Sequence, residues 1–316
     1  MKVNMKKNLV AILALAATPA FLHAVDSYSD VVGYSKYSLS SGQYIFSPTF
    51  VKQNLYTGSG TVSNKTLAVS GLTTSSLAPS SYNDGTPNYP RAYVEILSGT
   101  YAGVAFDISS VTSNTVTIDS PSDLNGQNVS FAIRNHVTLG DVFTPASGMS
   151  EYSDAITLFN SDGSTSIRYL AGGVVTTDDF TTLAGHTPIY PGSGVILNIG
   201  GNVTLSLVGS VKSTVAKVPV YPGVNNIVGT LDPSSNLKAT ASTLATSLGA
   251  FTDSATLYSN NGNFALQNFI YSDGASVTDD SFNAYDPTNS PVISSGSGLI
   301  VNVPAPSYIV LNSPIK

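Results

Sequence analysis

The sequence predicts an all-β chain: tandem β-sandwich or barrel-like modules, a small β-barrel inserted in the first, and one or two short helices. Three observations carry this expectation. Short segments alternate apolar and polar residues with period two, as in "YVEIL" at Tyr93, "TVTI" at Thr115, "NVSFAI" at Asn128, "GVILNI" at Gly194, "NVTLSLV" at Asn202 and "GLIVNV" at Gly298. Turn markers separate them: Asn83-Asp84-Gly85, Ser161-Asp162-Gly163, Asn260-Asn261-Gly262 and Ser272-Asp273-Gly274, where Asn, Asp and Gly tolerate positive φ. Finally, residues from Asp154 onward are echoed in order by residues from Asp253 onward. "DAITLFNSDGSTSIRYL" matches "DSATLYSNNGNFALQNF", "TDDF" at Thr177 matches "TDDSF" at Thr278, and "PIYPGSGVILN" at Pro188 matches "PVISSGSGLIVN" at Pro291, with offsets of about 99 to 104 residues.

Along the chain, residues 1–24 read as a secretory signal, with Lys2, Lys6 and Lys7 as a basic n-region, an apolar run from Leu9 to Leu22, and Ala24 at the cleavage point. The run is too short for a membrane-spanning helix, which needs about 20 residues. Residues 25–50 and 137–206 are expected to form the first β module, 51–136 an inserted barrel, and 207–316 the second module. The insertion rests on "VVGYSKYSLSSGQYIFSPTF" from Val31, which resembles "LVGSVKSTVAKVPVYPGVNNIVGTLDP" from Leu207 as a module opening. One helix is predicted in "LDPSSNLKATASTLATSLGAF", capped by Asp232 or Ser235, with Leu237, Ala241, Leu244 and Leu248 on one face and Gly249 as its stop. "TLGDVF" from Thr138 supplies a shorter helical turn at the corresponding place before the first copy.

Cysteine is absent, which excludes disulfides, thiolate metal sites and a thiol nucleophile. Hydrophobic burial alone must then hold an exported fold. Removal of the signal takes three of the 13 Lys and Arg and none of the 19 Asp and Glu, leaving 10 basic against 19 acidic residues and a net charge of −9. Arg91, Arg134 and Arg168 are isolated, so no basic stripe exists to neutralise phosphates and a nucleic-acid partner is not expected.

The V-G-Y opening at Val32 to Tyr34 with Leu39 and Gly42, the "YVEILSGTYAGVAFDI" segment, "TLGDVF" and the P-G-x-G-V block at Pro191 together resemble a paralogous family of exported β-rich proteins expanded in Verrucomicrobia and related bacteria. The resemblance covers nearly all of the mature chain through short motifs. It implies export and an all-β build, and carries no activity or catalytic residues with it. Members often place tryptophans in the later strands; this chain has none.

The chemistry-bearing residues are sparse. His136 and His186 lack a G-x-S-x-G elbow, and the "GSG" segments at Gly192 and within "SGSG" at Ser295 precede strands in both copies, which suits tight turns better than nucleophiles. Asp178-Asp179 and Asp279-Asp280 are the candidate ligand-binding residues, because a repeated acidic pair is what a repeated Ca²⁺ or sugar site would look like. Calcium needs six to eight oxygens, however, and no D-x-D-x-D-G pattern or nearby Glu supplies them, so turn or cap aspartates are the favoured reading. Glu95 and Glu151 are the only glutamates, and no spacing pairs carboxylates as glycoside hydrolysis requires. Tyr82, Tyr89, Tyr152, Tyr190, Tyr221, Tyr271 and Tyr285 lie near turns and offer either a stacking surface or core edge.

The expected protein is therefore a secreted or cell-surface structural or adhesive protein, extracellular or periplasmic, without catalytic activity. A carbohydrate-binding protein is the alternative and an Asp-based glycoside hydrolase the third reading. No cofactor is expected, with Ca²⁺ the only one considered. The expected partners are further copies of the chain, envelope or matrix components, or glycans, and an integral membrane location is not expected.

Overall fold

The computed structural model describes residues 31–79, 88–233 and 236–315. The signal segment 1–24, Tyr82 and the Asn83-Asp84-Gly85 marker lie outside the described residues. The chain is all-β with two short helices. Among the described residues, no helix is long and apolar enough to cross a membrane.

The chain opens with β1 (Val32–Leu39) and β2 (Gly42–Phe46). It then enters six strands, β3 (Asn54–Thr61), β4 (Thr66–Ala68), β5 (Ala92–Ile96), β6 (Ala105–Val111), β7 (Thr115–Ile118) and β8 (Asn128–Asn135), which form one antiparallel sheet in the order β3-β8-β5-β6-β7-β4. The end strands meet at the Ser63–Thr66 bridge, whose two backbone hydrogen bonds measure 3.0 and 2.8 Å, so the sheet is a nearly closed barrel. Closure hides the free edges of so small a sheet. Val62, Leu67, Val94, Ile96, Ile108, Val116, Phe131 and Ile133 fill its core.

Leaving the barrel, the chain forms β9 (Val137–Thr138) and helix α1 (Leu139–Val142), in which Thr138 and Asp141 make a reciprocal capping box. β10 (Ala155–Phe159), β11 (Thr165–Ala171), β12 (Val174–Thr177), β13 (Pro188–Ile189), β14 (Val195–Ile199) and β15 (Val203–Ser210) follow. β12-β11-β10-β14-β2 is a five-stranded sheet, against which the ribbons β1-β15 and β9-β13 pack. The remaining strands are β16 (Ala216–Val220), β17 (Asn226–Gly229), β18 (Leu237–Lys238), β19 (Ser254–Tyr258), β20 (Leu266–Ser272), β21 (Val277–Thr278), β22 (Val292–Ile293), β23 (Gly298–Asn302) and β24 (Ser307–Leu311), with helix α2 (Leu244–Ser247) before β19. They give a five-stranded sheet β21-β20-β19-β23-β17 and ribbons β16-β24 and β18-β22. Strand for strand, the order and pairing are those of the first set.

Two sequence expectations change. β15 runs across position 206/207, where the sequence divides the modules, and pairs with β1 through Val32–Ser210. The V-G dipeptides at Val32 and Val208 are thus cross-strand neighbours, Gly33 facing Gly209, and the counterpart of β1 is β16. Both glycines clear the crossing segment: a Cβ on Gly33 would lie 2.4 Å from the Phe50 ring, and one on Gly209 2.7 Å from the Val51 carbonyl. Likewise, the helix expected within Leu231–Phe251 shrinks to one α turn preceded by strand β18 and a 3₁₀ turn at Ala239–Ala241, and the Ser235 cap lies outside the described residues. The backbone of Leu237 and Lys238 is taken by β22, and Ser242 and Thr243 spend their hydroxyls on the carbonyls of Ala239 and Val310. Only Leu244–Ser247 remains α-helical, with Leu244 and Leu248 in the core.

The two five-stranded sheets meet at a seam of Ile45, Ile196, Ile227 and Ile300. Its contacts are reciprocal. Gly229 N–H donates to Gly192 O at 2.8 Å, and Ser47 N–H, its positional counterpart, donates to Gly296 O at 2.9 Å. A Cβ on Gly194 would fall 2.8 Å from Cγ2 of Ile227, and one on Gly298 3.2 Å from Cγ2 of Ile45. The "GSG" segments therefore serve as turns, with φ of +80° at Gly192 and +76° at Gly296, and also as the places where each sheet admits the other's isoleucine. Ile196→Ala and Ile300→Ala should each lower the unfolding free energy by about 2–5 kcal/mol in urea titrations. The double variant should depart from additivity by at least about 0.5 kcal/mol, because the two sites share one seam.

Candidate functional site

Where the barrel meets both sheets, the alternating pattern of β5 is buried on both faces. Ala92, Val94 and Ile96 point into the barrel core, while Tyr93 and Glu95 on the opposite face are covered by other parts of the chain. Lys212, in the segment following β15, reaches the Glu95 carboxylate, and the Thr214 hydroxyl donates to the same Oε1. Arg134, on the neighbouring strand β8, stands 3.5 Å from Glu95 Oε2 and donates to the Lys52 carbonyl at 2.9 Å. Burial pushes the Lys212 ammonium below its ordinary range; the Glu95 charge and hydrogen bond oppose this, and Arg134 adds to it. Just past the end of β8, buried His136 meets Asp107 of β6 through Nε2 at 3.0 Å, and Tyr190 donates to the other Asp107 oxygen at 2.5 Å. Burial, then the Asp107 charge, pushes the Tyr190 hydroxyl far up, so it stays a proton donor. His136 packs tilted against Tyr93 and edge to face against Tyr190, whose bond to Asp107 latches the barrel to the sheet side.

Beside these groups lies a cleft of about 560 Å³, lined by Tyr89, Phe106, Asp119, Tyr221, Asn225 and Tyr308 among others. Barrel residues also fasten its wall: Lys217 donates its backbone N–H to Gly103 O at 2.8 Å and its ammonium to Thr100 O at 2.7 Å.

The acidic pairs lie elsewhere, in the turns that follow β12 and β21. Cross-strand pairs Tyr169–Thr176 and Tyr271–Thr278 align the two turns at a shift of 102 residues, the distance from Thr176 to Thr278. Asp178 therefore matches Asp280, Thr177 matches Asp279, and Asp179 matches Ser281. The register expected from sequence is off by one residue, because the matching D-D letters conceal a drift in the offset between the two stretches. Asp179 accepts from the Thr181 and Thr182 N–H groups and the Thr177 hydroxyl through Oδ1, and from the Thr182 hydroxyl through Oδ2. These bonds, the Thr182 hydroxyl foremost, hold its carboxyl far below the usual range. Asp279 accepts from the Ser281 and Asn283 N–H groups, and the latter chiefly lowers its pKa. Both residues are spent on their own turns, as sequence favoured. Asp178 and Asp280 are exposed. Among the described residues, no group of three or more His, Cys, Asp or Glu is placed to hold a metal.

The same turns carry a feature that the sequence reading passed over. Phe180 packs against Tyr152 and Tyr169, with ring centroids at 5.4 and 5.0 Å; Phe282 packs against Phe251 and Tyr271 at 5.1 and 5.4 Å. Tyr152, Phe180, Phe251 and Phe282 have φ of 60°, 58°, 59° and 60°, the left-handed region. Each such non-glycine residue costs on the order of 1 kcal/mol or more. Yet these rings are 57%, 39%, 58% and 44% exposed. Tyr152 and Tyr271 were visible in sequence as turn tyrosines, but their packing against Phe180 and Phe282 was not. No family model matches this chain, and comparison with curated proteins and with solved structures finds no match.

Lys212→Met should cost about 3–5 kcal/mol in chemical denaturation, since Glu95 would remain buried beside a neutral side chain. For Asp179, a folded pKa held below the unfolded value of about 4 means that its stabilisation is complete above that pH and is lost as pH falls through the folded pKa. The melting temperature of Asp179→Ala should therefore lie below that of the unaltered chain at pH 6 to 7, with the gap narrowing as the solution is acidified below about pH 4.

Proposed function

We propose that this chain is an exported structural or adhesive protein that works at the cell surface or in the extracellular matrix, with residues 1–24 as its secretory signal. We further propose that residues 31–50 with 137–210 and residues 216–315 are two copies of one module, the barrel being an insertion in the first. The observation that carries the adhesive reading is the double presentation of one exposed, strained aromatic turn by two sheets clamped through a reciprocal seam. Such an arrangement suits a rigid bivalent contact protein, in which linked sites multiply weak affinities. Buried anchors at Glu95–Lys212 and Asp107–Tyr190 support the same reading by fastening the barrel to its neighbours. A carbohydrate-binding role is the second reading, favoured by exposed rings two positions along the chain from the exposed Asp178 and Asp280.

Expression of the full chain in a bacterial host with a C-terminal tag tests the export reading. Intact mass should show a mature protein beginning at Val25, recovered from the periplasm, envelope or medium. Retention of residues 1–24 on soluble cytoplasmic protein would refute it.

A further inference from the structure

The twin aromatic turns have the make-up of a ligand site. Their rings project into solvent from backbone conformations that glycine would adopt without strain, and they do so at matching positions in both modules. Each cluster is anchored in the same way. Tyr152 N–H donates to Leu170 O at 2.9 Å and Phe251 N–H to Ser272 O at 2.8 Å, while Asp154 and Asp253 accept from the Ser150 and Gly249 N–H groups at the head of each turn. Unoccupied aromatic surface held outward at a conformational cost is better explained by contact with a partner than by the core, which lies beneath.

The geometry also selects the chemistry. Within each cluster the rings meet edge to face or tilted, at 56° to 67° between planes and 5.0–5.4 Å between centroids, so no gap between them accepts an ammonium group as an aromatic cage would. What remains is an outer apolar platform. Exposed carboxylates stand two residues before each phenylalanine, Asp178 before Phe180 and Asp280 before Phe282. A platform with an adjacent hydrogen-bond acceptor fits a pyranose ring, whose axial C–H face is apolar and whose rim carries hydroxyl donors. The flanking negative charge disfavours anionic glycans.

We propose that the two turns are equivalent binding sites for a neutral polysaccharide: a sugar ring stacks on Tyr152 and Phe180 in one module and on Phe251 and Phe282 in the other, with Asp178 and Asp280 accepting hydrogen bonds from its hydroxyls. This deepens the carbohydrate-binding reading and rests on it. Two sites per molecule make retention on an insoluble polymer far stronger than binding to a short oligosaccharide.

The test is co-sedimentation of the purified full mature chain with microcrystalline cellulose and with chitin, together with calorimetry on cellohexaose and chitohexaose. Phe180→Gly and Phe251→Gly each remove a ring and its left-handed strain, and a melting curve on each variant checks that it is folded at the assay temperature. Expected are binding of the unaltered chain to at least one of the two polymers, a loss of about tenfold in each single variant and about a hundredfold or more in the double variant. Asp178→Asn should weaken binding without affecting the fold. Absence of binding to both polymers would overturn the proposal, as would binding that survives the double variant, or capture of polylysine in place of glycan. Any of these results, with export to the envelope intact, would leave the structural reading standing; a cytoplasmic protein that still bound glycan would do the reverse.

Discussion

Four isoleucines shared between two sheets are the constraint on which the architecture depends. Ile45, Ile196, Ile227 and Ile300 sit on the second faces of β2, β14, β17 and β23, strands whose first faces already fill separate cores. A sheet buried on one face could stand alone; these are buried on both, so each sheet needs the other. Burial of each such side chain contributes about 1.5–3 kcal/mol. In a chain without cysteine, no covalent staple supplements that term. The close approach also requires Gly194 and Gly298, since a Cβ at either would meet the opposing isoleucine. Reciprocity makes the seam resemble the self-complementary interface of a two-fold dimer contained within one chain.

The barrel is fastened by polar rather than apolar means. Glu95, Arg134, Lys212 and Thr214 gather at one point, and Asp107, His136 and Tyr190 at another. Buried charges contribute little net stability against apolar substitutes, yet they penalise every arrangement that leaves one unpaired. Their effect is to fix where the barrel sits. The seam holds the two sheets together, and the ionic cluster orients the barrel upon them, so the cleft and the outward turns keep constant relations to the same scaffold.

Strain is concentrated away from that scaffold. Of the non-glycine residues with positive φ, Tyr152, Phe180, Phe251 and Phe282 form the two outward clusters, and Asp179 and Asp279 brace two of those turns by taking up their amide groups. The carboxylates that looked like ligands are the supports of the loop, and the rings they support are its exposed part.

Local grammar was legible. Period-two alternation located β5, β7, β8, β14, β15 and β23, and the turn markers at Asp162-Gly163, Asn261-Gly262 and Asp273-Gly274 fell between strands, because strand pleat and turn sterics act over a few residues. The T-L-G-D-V-F turn was readable for the same reason, its cap being set within one helical turn. Longer-range matches misled where identical letters did different work. The two V-G dipeptides are cross-strand partners clearing room for Phe50 and Val51, and the D-D pairs are offset by a residue that only the pairing of Tyr169 and Tyr271 with their threonines exposes. The Leu237 segment had helical spacing, but β22 competed for its backbone.

By itself, then, the sequence determined that this chain forms strands, where they turn, and which stretches echo one another, since these follow from residue sterics and hydrophobic periodicity. Only the tertiary structure decided which polar faces are covered, as Glu95 is by Lys212, and which distant rings converge, as Tyr152 does with Phe180. Alternation reveals that a strand has two faces; it carries no information about what chain, arriving from more than a hundred residues away, will lie against the second.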